Sequence, residues 1–212
     1  MREHTILTRE NAVRALAALF GLALVLLARG AHAQSIIKHP GDHPNYAVEL
    51  EPHAVAQYDR TPYGTGGFGL GFRASIPFVH NGPVPKINNN IGMSFGVDWV
   101  HFGGDNYCLD GRHNPSFFAT DCGGSDLWFP VTGQWNFFLT PIISVFGEFG
   151  LAIHNERWSY EADCAGCSYH YSHLDFFEPV FFAGGRFLFG KTVGLTVRLG
   201  WPYISVGASF LL

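Results

Sequence analysis

The sequence predicts an all-β chain: an eight-stranded antiparallel up-and-down transmembrane β-barrel. Three observations carry this. Only 14% of the 212 residues are charged, against 16% aromatic, where a soluble domain averages about 25% charged. After residue 34, apolar side chains recur with period two and no helical period is visible. The face opposite the apolar one is built from glycine, small polar residues and isolated charges. A solvent-washed sheet face would carry more Lys, Glu and Thr.

The strands follow in order. Tyr46–Tyr58 sets Val48, Leu50, Ala54 and Ala56 against Glu49, Glu51, His53 and Gln57, with Pro52 interrupting the ladder. Gly66–Phe78 places six apolar side chains from Phe68 to Phe78 opposite Gly67, Gly69, Gly71, Arg73 and Ser75. In Ile91–Phe102, Met93, Phe95, Val97 and Trp99 oppose Ser94, Gly96 and Asp98. Leu127–Leu139 sets Phe129, Val131, Trp135 and Phe137 against Thr132, Gln134 and Asn136. Ile143–Asn155 sets Val145, Phe149, Leu151 and Ile153 against Ser144, Glu148 and His154. Phe177–Phe189 has Phe181, Ala183, Phe187 and Phe189 opposite Glu178, Gly184 and Arg186. Val193–Leu199 alternates about Thr196 and Arg198, and Ile204–Leu212 about Ser205, Gly207 and Ser209. The charges of the polar face, Glu49, Arg73, Asp98, Glu148, Arg186 and Arg198, are expected to fill and neutralise a narrow lumen. Bulk solute passage is then not expected.

Other classes fall away. The 13 Lys+Arg against 17 Asp+Glu exclude a basic nucleic-acid binder. The aromatic content excludes a disordered chain. Beyond the first thirty residues no apolar run reaches the length of a membrane helix. Residues 1–33 read as a cleaved secretory signal peptide: Arg2, Arg9 and Arg14, an apolar Ala15–Ala28, and Ala31-His32-Ala33 as cleavage site. Residues 34–44 then form a loose periplasmic lead-in, and 45–212 the barrel domain. The export signal implies a bacterial envelope protein.

The connections alternate in length. Segments 59–65, 103–126, 156–176 and 200–203 fall on the extracellular side, 79–90, 140–142 and 190–192 on the periplasmic side. Of the latter, 79–90 is longer than a periplasmic turn requires. Trp99, Trp128, Trp158, Trp201, Tyr46, Tyr58 and Tyr203 lie near strand ends, where aromatic girdles meet headgroups. The signal peptide, eight amphipathic strands and apolar last strand (ISVGASFLL) together resemble small Gram-negative outer-membrane barrels of the OmpA, OmpX and OmpW kind. That resemblance implies an outer-membrane location, contact with membrane lipid and lipopolysaccharide, and insertion by the barrel-assembly machinery, with Phe210 on the outward face. It implies an envelope structural or surface-interaction role, no cofactor and no catalysis.

Four side-chain groups are candidates for chemistry. Cys108, Cys122, Cys164 and Cys167 lie in the two long outer connections and are expected to form disulfides in an oxidising compartment. Cys108–Cys122 and Cys164–Cys167 is the preferred pairing and loop-to-loop pairing the alternative. A loop-closing bond of this kind contributes about 3 kcal/mol. Cys164, Cys167, His170 and His173 recur every three residues with ligand types suited to tetrahedral zinc, although such spacing puts the two histidines on opposite faces of a strand. His170-Tyr171-Ser172 resembles the His-x-Ser pair of PagL-type lipid A deacylases, and Glu178 could orient the histidine; His170, Ser172 and Glu178 share the lumen-facing parity of Arg186. Asp105, Asp110, Asp121 and Asp126 make 103–126 an acidic, solvated connection. Its carboxylates could alternatively hold Ca²⁺ or Mg²⁺ bridging to lipopolysaccharide phosphates.

Overall fold

The computed structural model describes residues 34–58, 66–109, 118–162 and 168–212, with backbone only for 103–109, 118–122, 160–162 and 168–169. The predicted signal peptide lies outside the described residues. Eight strands form one closed antiparallel barrel in chain order. They are β1 (Glu49–Gln57), β2 (Gly67–Val79), β3 (Asn89–Leu109), β4 (Phe118–Phe138), β5 (Ile143–Ala162), β6 (Ser168–Phe189), β7 (Val193–Trp201) and β8 (Tyr203–Leu211). The first and last strands close the wall from Glu49↔Leu211 to Gln57↔Tyr203.

Within the barrel wall, burial alternates along the strands with the parity read from sequence. The outward side chains remain exposed, Phe68 at 77%, Leu70 at 69% and Phe149 at 70% among them, while Arg73, Asp98 and Arg198 inside are at most 1% exposed. Two glycines show why the inner face needs small residues. A Cβ added at Gly69 would fall 1.7 Å from the Trp99 carbonyl oxygen, and one at Gly71 would fall 2.0 Å from Asp98 Oδ1 and 2.4 Å from His53 Nε2.

The strands are of two lengths. β1, β7 and β8 have 9 residues and β2 has 13, whereas β3 to β6 have 20 to 22. At about 3.3 Å per residue the short strands span about 30 Å and the long ones about 70 Å. Pairing of β2 with β3 ends at Phe68↔His101, and that of β6 with β7 at Phe181↔Trp201. The upper halves of β3 to β6 therefore continue beyond the barrel as a four-stranded sheet, through pairs such as Gly103↔Gly123 and Ser159↔His170. This corrects the two long loops expected at 103–126 and 156–176. Past the wall the outer face is no longer continuously apolar, so the side chains lose the period-two signal while the backbone still pairs.

The lead-in is not loose. The Ile36 amide donates to the Leu139 carbonyl at 3.0 Å, the Asn88 amide to Ile37 at 2.7 Å, and the His43 ring stacks on Phe138 with centroids 4.7 Å apart. The extra length of 79–90 holds this segment across the turn end of the barrel. Tyr46, Leu188 and Leu211 pack as a buried cluster there, with Ile142 against it.

Candidate functional site

Inside the barrel the charged residues form one connected system. On β1, Glu49 pairs with Arg186 of β6 through two bonds, Arg186 Nε to Glu49 Oε1 at 2.8 Å and Nη2 to Oε2. Glu51 pairs with Arg198 of β7. Glu148 of β5 is the hub. It accepts from Arg73 Nη1 at 2.9 Å, Arg198 Nε at 3.1 Å and Gln134 Nε2 at 2.7 Å. Arg73 continues to Asp98 at 3.1 Å and to the Tyr203 hydroxyl at 2.9 Å, and Tyr203 itself donates to Asp98. His53 Nε2 lies 2.6 Å from the other Asp98 oxygen. Arg186 and Arg198 also lie over the Phe146 ring, 5.4 and 5.1 Å from its centroid. Closely paired charges of this kind satisfy one another in a low-dielectric interior and fix the register of the strands that carry them.

Above this layer the lumen is apolar. Trp128, Phe102, Trp158, Phe182 and Tyr203 form the heart of a buried cluster. Trp128 stacks on His154 at 3.8 Å between centroids, and Phe102 on Trp158 at 5.3 Å. Trp128, Trp158, Tyr203 and Tyr46 are thus interior side chains rather than girdle residues, whereas Trp99 and Tyr58 are exposed. Asp126, assigned by sequence to a solvated acidic loop, is also buried. Its Oδ2 accepts from Gln57 at 2.8 Å and lies 3.3 Å from His154 Nε2.

The six charges named from sequence, Glu49, Arg73, Asp98, Glu148, Arg186 and Arg198, all lie in the lumen system. Glu51, His53, Asp126 and Tyr203 belong to it as well. The first two carry the inward parity of β1, a signal already present in the strand pattern. Tyr203 begins β8 and Asp126 just precedes the strand read from sequence at Leu127–Leu139, where parity alone does not tell lumen from girdle or loop.

The His-x-Ser pair is displaced by a β-bulge in β6. Ala152 pairs with Glu178 and His154 with Asp175, so two residues of β6 stand opposite Ile153 alone. Phe177 takes a positive φ of 68° there. The extra residue inverts parity above it. Glu178 keeps the inward parity opposite buried Ala152, whereas Ser172 stands opposite Arg157 and His170 opposite Ser159, on the outward face. The shared lumen-facing parity expected for the three is therefore wrong for His170 and Ser172, and the bulge puts Glu178 on the other side of the wall.

Of the four equally spaced ligand types, His173 contacts Asp175 at 2.9 Å instead. Cys164 and Cys167 lie outside the described residues, and among the described residues no three His, Cys, Asp or Glu side chains are grouped to hold a metal ion. The backbone of β3 and β4 pairs Cys108 with Ala119 and Cys122 with Gly104. In that register Cys108 and Cys122 are not opposite one another.

No protein-family model and no curated protein sequence matches the chain. Among solved structures it is similar to Ail, the attachment invasion locus protein of Yersinia pestis, at 13% identity over 80% of this chain and 99% of that one, with a TM-score of 0.45. A structure of Ail with the heparin analogue sucrose octasulfate matches at 13% identity over 78% and 96%, TM-score 0.44. Neisserial surface protein A, NspA, matches at 11% identity over 78% and 97%, TM-score 0.44.

Proposed function

We propose that the chain is a non-enzymatic bacterial outer-membrane barrel with a closed lumen, exported by cleavage after Ala33, whose projecting sheet is a surface for interaction outside the cell. The observation that carries the membrane reading is the wall itself. Short strands of 9 residues match one crossing by a tilted strand, and the outward side chains around the wall, Phe68, Leu70, Val97, Phe149, Leu199 and others, are exposed without any partner layer. In water so continuous an apolar surface would aggregate. In lipid it needs no cover.

The surface role rests on the four-stranded extension. Among the described residues no strand pairs with the outer edge of β6 above Phe181. Above the row of Trp99 and Leu174, Tyr171 is 51% exposed along that edge. An edge without a paired strand beside an exposed aromatic suits strand addition by a protein partner.

Heat-modifiable migration tests the membrane reading. Outer-membrane fractions should contain the protein, and the unheated, detergent-solubilised sample should run ahead of the boiled one. Migration unchanged by heating would count against a membrane barrel. The absence of catalysis is tested on lipid A. Mass spectra of lipid A from cells making the wild type and Ser172→Ala should be identical, and a deacylated species lost with Ser172→Ala would replace this reading by an esterase. Cys108, Cys122, Cys164 and Cys167 are proposed to be oxidised in pairs. A membrane-impermeant maleimide on intact cells should label none of them, and two reactive thiols at 164 and 167 would favour an open ligand set instead.

A further inference from the structure

We infer that the outer face of the barrel carries, where its apolar wall ends, a groove that binds the phosphate of an anionic membrane-lipid headgroup. The inference rests on the membrane placement proposed above. The bulge at Phe177 creates the groove. By turning His170 and Ser172 outward, it completes a row in which His101, Ser125, Arg157 and Ser172 stand side by side on β3, β4, β5 and β6. One step toward the turn end, the same four strands present Trp99, Leu127, Asn155 and Leu174; below them Val97, Phe129 and Ile153 are apolar and exposed. The polar row thus borders the lipid-facing wall, with Trp99 stacked on His101 at 6.0 Å between ring centroids.

The groove has a volume of about 450 Å³, and among the described residues no carboxylate lines it. Its depth comes from the small residues of β4. Gly124 and Ser125 line it on that strand. Arg157 supplies the charge. Its Nε donates to Asn155 Oδ1 at 3.1 Å, which orients the guanidinium, and among the described residues its terminal nitrogens have no acid partner. The other described arginines, Arg73, Arg186 and Arg198, are all paired within the lumen. A planar guanidinium flanked by imidazole and hydroxyl donors matches the oxygens of a phosphate. An anion held there has its acyl chains directed along Phe129 and Ile153, which neither a free phosphate nor a soluble polyanion would use.

Native mass spectrometry of the full protein released from nonionic detergent tests this. Dioleoyl phosphatidic acid is the probe, and dioleoyl phosphatidylcholine and inorganic phosphate are the comparisons. The wild type should retain one phosphatidic acid at concentrations where phosphatidylcholine is not retained and equimolar inorganic phosphate does not displace it. Arg157→Gln, which removes the charge, and Ser125→Phe, which fills the groove, should each weaken retention at least tenfold while leaving heat-modifiable migration as in the wild type. Equal retention by the variants, equal retention of phosphatidylcholine, or displacement by inorganic phosphate would each overturn the groove. With migration intact, such a result leaves the barrel reading standing. Loss of heat-modifiability in the wild type would instead remove that reading itself.

Discussion

Glu148→Leu is expected to destabilise the folded barrel by about 3–5 kcal/mol, the range for breaking a buried ion pair from one side. Glu148 is 4% exposed and receives hydrogen bonds from Arg73, Arg198 and Gln134. These donors come from β2, β7 and β4, so a single carboxylate on β5 holds three other strands. With leucine in its place, Arg73 keeps Asp98 and Arg198 keeps Glu51, but each guanidinium loses the partner they share. Desolvation of the guanidiniums remains, and the compensating attraction does not. Glu148→Gln keeps an acceptor oxygen and should lose less than Glu148→Leu. The urea midpoint of the folded band on unheated gels, with protein in phospholipid vesicles, measures the difference. A midpoint for Glu148→Leu equal to that of the wild type would mean that the lumen network contributes nothing to holding the wall closed. Arg198→Met should behave similarly, because it strands Glu51 and half of Glu148.

What was legible in the sequence was the wall. Wherever one face met a packed lumen and the other an apolar surround, the side chains had to alternate, and Phe68 to Phe78 or Ile143 to Ile153 could be sorted by parity alone. The interior charges followed from the same sorting. Four features were not legible, each for a physical reason. The upper halves of β3 to β6 are strand because their backbones pair, and backbone pairing leaves no mark on composition once no face is continuously apolar. Trp128 and Tyr203 are apolar-bodied residues near strand ends, a description that fits a lumen plug as well as a girdle; their partners, Gln57 and His154 for the one and Arg73 and Asp98 for the other, are distant in sequence. The bulge in β6 adds a single residue, and nothing in Phe176-Phe177 distinguishes a bulge from two more wall residues. It nonetheless reverses the face of every side chain above it, including His170 and Ser172. The docking of Ile36 and Ile37 depends on the 79–90 connection, whose surplus length was visible in the sequence although its purpose was not.

Phe149→Arg separates a membrane barrel from a soluble one of the same shape. Phe149 stands next to Glu148 in the chain but on the opposite face of the wall, opposite Phe181 on one side and Gly133 on the other, and is 70% exposed. Were that face in water, exchanging an exposed phenylalanine for arginine would change stability by no more than about 0.5 kcal/mol, as for other surface substitutions. In a bilayer the cost depends on depth: about 2–4 kcal/mol for arginine at the midplane of a barrel wall, falling to about 0–1 kcal/mol near the interfaces. Leu174→Arg supplies the second depth. Leu174 is also outward and exposed, but it lies on the row with Trp99, at the upper limit of the apolar wall. Urea unfolding of both variants in phospholipid vesicles should therefore show a large loss for Phe149→Arg and little for Leu174→Arg. Phe149 contributes no bond to the lumen network, so a depth-dependent penalty can arise only from the solvent outside. Equal and small effects at the two positions would put water against the whole wall, and the low charge content of the chain would then have to be explained by a partner that covers it.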